Sequence, residues 1–309
     1  MSLWDFSIGN SRPIYDIALW YLRNAPVDWL KEYLRHGAAG HTSSPILFTN
    51  KDGITFDLDM GSFIERFIYC FHYYEPGDVV AVRRLLRSGD VVIDVGANVG
   101  QYALMAATAV GDNGAVYAFE PSPNILTKLR RNRKLNELTN LQIVPSAVGS
   151  KSEFGNFYPA EGYNEGIGSL VYQGGSDAGM RSETPIQVEV ITLDDFCNNN
   201  AINRVDFIKI DAEGYDFEVL KGAEYTLQTN QDIVVMVEMV EQEADIYHLC
   251  VKIEHFMLSL GFLAFGSDNC SPFNAYVSGK LIPVESSLRT GPINVFFIRK
   301  VAAERFGLL

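Results

Sequence analysis

The sequence has 309 residues, 47% hydrophobic and 20% charged, a composition that can bury a full core and a length beyond one small domain. Its 25 basic and 38 acidic residues leave a net charge of −13, which offers no general field for phosphate backbones and argues against nucleic acid as the main partner. No apolar run approaches the roughly 18 residues of a transmembrane helix, and the first residues lack the basic and apolar blocks of a signal peptide. Four scattered cysteines form no CxxC pair, so the expectation is a cytoplasmic protein with reduced thiols and no zinc site.

Residues 1–45 carry Trp4, Phe6, Tyr15, Trp20, Tyr21, Trp29 and Tyr33. Between Pro13 and Arg35 the apolar side chains recur at helical spacing. This predicts an N-terminal helical extension, packed on the main domain, used as a homo-oligomer contact or forming a membrane-surface patch. Ile46–Phe48 and Ile54–Leu58 flank an Asp52-Gly53 turn and predict a β-hairpin. Residues 79–87 read as a short amphipathic helix.

From residue 90 strands and helices alternate. Val91–Val95, Ala115–Phe119, Leu141–Val144, Val205–Ile210 and Ile233–Val237 read as strands. Gly100–Val110, 123–136, Phe217–Leu227 and Ile246–Leu260 read as helices. The basic residues Lys128, Arg130, Arg131, Arg133 and Lys134 on 123–136 are expected to form a solvated face. Phe262–Phe265 and Asn294–Ile298 suggest an antiparallel edge. Alternation of this kind builds an α/β fold, a doubly wound, mostly parallel sheet, over residues 46–309. The stretch 150–190 breaks the rhythm, with seven glycines among the 25 residues from Gly155 to Gly179. It reads as an insertion between short strands at Asn156–Tyr158 and Val188–Ile191, either a surface loop or a lid over a ligand.

Asp94-Val95-Gly96-Ala97-Asn98-Val99-Gly100 sits where a buried strand ends and a helix begins. Gly96 permits a sharp turn and close approach of a ligand, and Asn98 tolerates left-handed backbone. The spacing departs from the dinucleotide G-x-G-x-x-G pattern, because Asn98 replaces its second glycine. Glu120 ends the next strand, where a carboxylate can accept hydrogen bonds from two ribose hydroxyls. Ser146-Ala147 follow the third strand, and these small residues leave room for a flat ring.

These residues, with Tyr74-Glu75-Pro76, Ala118-Phe119-Glu120-Pro121, Lys209-Ile210-Asp211-Ala212-Glu213-Gly214 and Val219-Leu220-Lys221-Gly222-Ala223, resemble the FkbM-type family of class I S-adenosylmethionine-dependent methyltransferases. The resemblance runs from about residue 54 to 300 and leaves residues 1–45 outside. It implies a seven-stranded Rossmann-like sheet, S-adenosylmethionine as cofactor, and methylation of a hydroxyl on a sugar, glycan or small molecule. It implies that Asp94, Gly96, Ala97, Asn98 and Gly100 surround the methionine part of the cofactor. Glu120, beside Pro121, would hold the ribose, Ser146 and Ala147 would lie near the adenine, and Glu75 would cover the methionine end.

An alcohol gives up its proton reluctantly, so a general base or a metal is useful. Asp211, Glu213 and Glu238 end the fourth and fifth strands, where a doubly wound sheet presents its ligand crevice. Clustered carboxylates need a shared proton, a lysine or a divalent ion such as Mg²⁺. Asp211 and Glu238 are the metal candidates. Lys209, two residues from Asp211 on the same face, is a natural partner for it. His72 is a reserve base. An amine acceptor, a nicotinamide-dependent oxidoreductase and a non-catalytic cofactor-binding protein are the competing readings.

Overall fold

The computed structural model describes residues 45–161, 165–172, 180–239, 244–267, 279–284 and 293–309. The expected N-terminal extension and most of Asn269–Arg289 lie outside them. The described residues begin with the expected hairpin, β1 (Ile46–Thr49) and β2 (Thr55–Leu58), paired antiparallel around Asp52-Gly53. Two helices follow, α1 (Phe63–Phe71) and α2 (Pro76–Leu85). The repeating units are β3 (Val91–Val95), α3 (Gln101–Val110), β4 (Ala115–Phe119), α4 (Pro123–Leu135) and β5 (Leu141–Val144). Strand β6 (Ala147–Val148) precedes the insertion, which supplies β7 (Glu153–Phe157) and β8 (Ile186–Ile191), and α5 (Leu193–Asn199) follows. The second half comprises β9 (Phe207–Ile210), α6 (Asp216–Lys221), α7 (Glu224–Thr229), β10 (Val234–Met239) and α8 (Ala244–Ser259). The chain ends with β11 (Phe262–Ser267), β12 (Leu281–Pro283), β13 (Ile293–Arg299) and α9 (Lys300–Arg305).

The main sheet has the order β12-β11-β13-β10-β9-β3-β4-β5. Strands β10, β9, β3, β4 and β5 are parallel neighbours, and β13 runs antiparallel between β10 and β11. This is the expected doubly wound, mostly parallel sheet of seven strands, with the short β12 added at one edge. Chain order reverses between β3 and β9, the place where open α/β sheets carry their crevice.

Period-two burial explains why the strands read as continuous apolar runs. Val92, Val116, Phe207, Val234 and Phe296 pack on one face against α2, α3 and the hairpin. Ile93, Phe119, Ile208, Val235 and Phe297 pack on the other against α5, α6, α7 and α8. The same parity puts Asp94, Lys209, Asp211 and Glu238 on one face, because Asp94 and Met236 both pair with Lys209.

Three local expectations differ. The helix expected over Phe217–Leu227 is two helices, α6 and α7. A Cβ on Gly222 would lie 2.0 Å from the Gly149 carbonyl oxygen, so the junction is pressed against the insertion. Strand β10 runs on to Met239, so Glu238 is a strand residue opposite Asn294 of β13. The basic face of α4 is only partly solvated: Lys128 bonds the buried Glu65 at 2.9 Å and Arg131 pairs with Asp57 at 2.8 Å. Asn132 of α4 and Asn136, which caps its C-terminus, bond the backbone of β2, so this helix fastens the hairpin to the domain.

The insertion's strands join β6 in a small separate sheet, β6-β8-β7. Its strands are longer than expected, and β7 and β8 are antiparallel. Among the described residues, no helix is long and apolar enough to cross a membrane.

Candidate functional site

A cavity of about 380 Å³ opens at the C-terminal ends of β3, β4, β9 and β10. The turn after β3 forms its floor. Gly96 has φ 72°, and a Cβ there would lie 1.9 Å from the Asp211 carbonyl oxygen. The backbone amides of Gly96 and Ala97 both donate to the Phe119 carbonyl at 3.0 Å, which holds the turn against β4. Asn98 is also left-handed, φ 50°, and its side chain accepts from its neighbour's amide, Val99 N, at 2.7 Å. Gly100 caps α3 at φ 96°.

Glu120 is buried at one side of the cavity. Its Oε2 accepts from the Asn98 amide at 3.0 Å and its Oε1 from the Ser122 amide at 2.9 Å. Each oxygen keeps a second lone pair for a ligand. Burial pushes the Glu120 carboxyl up to about 7, against the two amides, which pull it down. Ser146 and Ala147 also line the cavity, and Ser146 Oγ bonds Glu189 of β8 at 2.9 Å.

Lys209 is buried beneath the turn. Its ammonium donates to the Gly96 carbonyl at 3.0 Å and to Asp211 Oδ2 at 3.1 Å, and lies 3.7 Å from Asp94. Burial alone would lower the Lys209 pKa, but Asp211 and Asp94 outweigh it and hold the ammonium above its ordinary value. Among the described residues, neither buried carboxylate oxygen of Asp94 has a hydrogen-bond partner. Burial raises the Asp94 pKa, and Lys209 opposes the rise.

The opposite end of the cavity is acidic. Carboxylate oxygens of Asp211, Glu213 and Glu238 all lie within 4.8 Å of one another, close enough to share a divalent cation. Glu238 is held well above its usual range, first by the charge of Asp211 and then by burial. Burial and Asp211 push Glu213 up to about 8, with Arg181 opposing. Glu213 and Glu238, both raised, therefore favour keeping a proton near neutrality. Tyr74 borders this end of the cavity. The Gln101 side chain fixes its backbone, accepting from Tyr74 N at 2.6 Å and donating to Tyr74 O at 2.8 Å.

Of the residues singled out in the sequence, Gly96, Asn98, Glu120, Pro121, Ser146, Ala147, Asp211, Glu213 and Glu238 line the cavity. Asp94, Ala97, Gly100 and Lys209 support it from beneath. Glu75 does not line it: it takes left-handed backbone at φ 52° ahead of α2, and its carboxylate accepts from the Tyr102 hydroxyl at 3.1 Å. Burial, with Asp78 and Asp211, pushes Glu75 up to about 8. His72 is elsewhere. It caps α1 at φ 71°, with its ring 5.4 Å from Phe48 of the hairpin, so the reserve base is not brought to the cavity. Sequence reasoning missed Phe157, Gly168, Ser169, Leu170 and Tyr215, which come from the insertion and from ahead of α6. The glycine-rich break in the strand–helix rhythm is a signal for the insertion residues, but not for Tyr215.

Residues 94–264, more than half of the chain, match the family model described as Methyltransferase FkbM domain. The chain belongs to this family. It is thus an S-adenosylmethionine-dependent methyltransferase, and this replaces the nicotinamide reading. The hexuronic acid methyltransferase AglP of Haloferax volcanii is 26% identical over 178 residues, 56% of this chain and 67% of that protein. The 2-O-methyltransferase NoeI of Sinorhizobium fredii is 24% identical over 154 residues, 47% of this chain and 62% of that protein. The 31-O-demethyl-FK506 methyltransferase FkbM of Streptomyces tacrolimicus is 31% identical over 160 residues, 45% of this chain and 61% of that protein. The chain spans about two thirds of the length of these relatives. Within the FkbM family match lie the turn at Gly96, Glu120 and the acidic trio.

Proposed function

We propose that the cavity binds S-adenosylmethionine between Glu120 and the acidic trio and methylates a hydroxyl of a sugar, glycan or other small molecule. The observation that carries this is the pairing, within one cavity, of the buried Glu120 at one end with Asp211, Glu213 and Glu238 at the other. The names of the similar proteins support it: one methylates a hexuronic acid and two are O-methyltransferases.

The residues fit the cofactor. Glu120 has free lone pairs for two ribose hydroxyls, and Ser146 and Ala147 leave space for adenine. Asp94 brings unsatisfied buried oxygens beneath the turn at Gly96, Asn98 and Gly100, the expected methionine end. When bound, the cofactor supplies a methyl group on a positively charged sulfur, open to in-line attack. The chain must then align the acceptor, exclude water and take up its proton. Glu238 and Asp211 are placed to take that proton. A divalent cation, if bound, would be held by Asp211, Glu213 and Glu238 and would supply positive charge that favours an ionised carboxylate there. Lys209 holds Asp211 in place by their bond at 3.1 Å.

The test is calorimetry with S-adenosylhomocysteine. Binding to the wild type and a loss of about tenfold or more in Glu120→Gln are expected, the scale of a charge-assisted hydrogen bond. Absence of heat with the wild type rules the reading out. A transfer assay with labelled cofactor then compares neutral glycosides with amine-bearing ones. Methylation confined to the amines would move the acceptor from oxygen to nitrogen, an outcome an acidic trio also accommodates. Binding with no transfer to any acceptor would favour a non-catalytic role.

The trio also supports a second reading, in which Asp211, Glu213 and Glu238 hold a divalent cation that activates the hydroxyl.

A further inference from the structure

Arg181 belongs to none of the motifs read from the sequence. It lies in the insertion, its backbone bridging Ala160, and its side chain is 11% exposed. Among the described residues, the guanidinium reaches three acceptors. Nε donates to the Ile167 carbonyl at 2.6 Å, Nη1 to the Val171 carbonyl at 3.4 Å, and Nη2 to Glu213 Oε2 at 3.5 Å. One planar group therefore joins both ends of the segment 167–171 to the loop that follows β9.

Ser169 makes a second tie between the same two pieces. Its Oγ donates to the Glu213 carbonyl at 2.8 Å and accepts from the Val171 amide at 3.0 Å. Glu213 itself has φ 52°, a conformation that needs support. Asp216 provides it from the other side, accepting from the amides of Ala212 and Gly214.

Ile167, Gly168, Ser169 and Leu170 form the insertion's wall of the cavity. An isolated bridge to Tyr158 is this wall's link to the small sheet. A segment so weakly laddered costs conformational entropy to hold in one place. A guanidinium can satisfy three acceptors in fixed directions at once, which a lysine cannot.

We propose that Arg181 is a positioning residue that latches the 167–171 wall onto the Asp211–Glu213 loop and so closes the insertion side of the cavity around bound cofactor. The inference rests on the reading of this cavity as the cofactor site. The wall beside the reacting end is then held by a residue of the insertion that need not touch the cofactor.

The test compares the wild type with Arg181→Ala, Arg181→Lys and Ser169→Ala in two measurements. The first is hydrogen exchange of the 166–171 amides without ligand. The second is the rate at which S-adenosylhomocysteine leaves. Arg181→Ala is expected to speed both by about tenfold, the scale of one charge-assisted hydrogen bond, with the association rate little changed. Arg181→Lys and Ser169→Ala should fall between it and the wild type, and millimolar guanidinium ion should slow release in Arg181→Ala. Exchange and release within about twofold of the wild type in Arg181→Ala would overturn the latch. So would faster exchange spread evenly over the central sheet, which would mean general destabilisation. If Arg181→Ala does not fold, the other two variants carry the same readouts, and wild-type values there are equally decisive. A wild type that fails to bind S-adenosylhomocysteine would sink the proposed function, while the exchange comparison would still judge the latch.

Discussion

Gly96 and Asp211 are in backbone contact across two parallel strands. A Cβ on Gly96 would fall 1.9 Å from the Asp211 carbonyl oxygen. The turn that floors the cavity and the loop that carries its acids are thus one packed unit. Gly96→Ala must either push that loop away or abandon the backbone conformation at φ 72°. It is expected to cost about 2 kcal/mol of stability or more, measured by urea denaturation, and to weaken S-adenosylhomocysteine binding sharply. Unchanged affinity would separate the turn from the site.

Lys128 on α4 supplies the cation for a buried acid. Glu65 is almost fully buried, and its bond to Lys128 spans 2.9 Å. Burial raises the Glu65 pKa, while the Asp59 amide and Lys128 lower it. Lys128→Met should cost about 1–3 kcal/mol near pH 7, because it leaves a buried carboxylate without its cation. The loss should shrink at acid pH, where Glu65 is protonated. A loss that does not change with pH would mean that packing, and not charge, sets it.

The pH dependence follows from three raised carboxyls. Glu120 is pushed up to about 7, and Glu75 and Glu213 up to about 8, in each case chiefly by burial. The folded chain therefore binds more protons than the unfolded chain between their ordinary value and these values. Their stabilising contribution is complete below the ordinary value and is lost as pH rises through 7 and 8. The melting temperature of the unliganded protein should fall between roughly pH 6 and 9. Affinity for the positively charged S-adenosylmethionine should rise over the same range, and by more than that for neutral-sulfur S-adenosylhomocysteine. A melting temperature that climbs across this range would contradict the assignment.

Divalent cations provide a separate check on the trio. Three carboxylates within 4.8 Å should take up Mn²⁺ at pH 8, seen as a rise in melting temperature, and Glu238→Gln should remove that rise. Transfer that survives EDTA would leave Asp211 and Glu238 as proton acceptors without a metal.

Much of the fold is legible in the sequence because buried parallel strands are continuous apolar runs and their connecting helices begin at turn residues. Val91–Val95 and Ala115–Phe119 have the same limits in sequence and structure. Helix α1, with its run of aromatics, and the short helices α5 and α9 are not legible, since short helices carry few turns of periodic signal. The break at Gly222 is also hidden. It exists because the distant Gly149 backbone presses on it, and no local pattern encodes that contact.

The strand–helix alternation, the glycine turn, Glu120 at the next strand end and the acids after the fourth strand are all legible in the linear chain. These are short-range features, and backbone sterics and side-chain periodicity act over only a few residues. Only the tertiary structure decided which acids meet. Strand register brings Glu238 of β10 beside Asp211, the residue that follows β9, while the course of α1 carries His72 to the hairpin and away from the cavity. It also decided that the insertion walls the cavity and that Arg181 reaches Glu213. Contacts between residues 32 positions apart or more are set by how the layers pack, and that is not written in any one stretch of the chain.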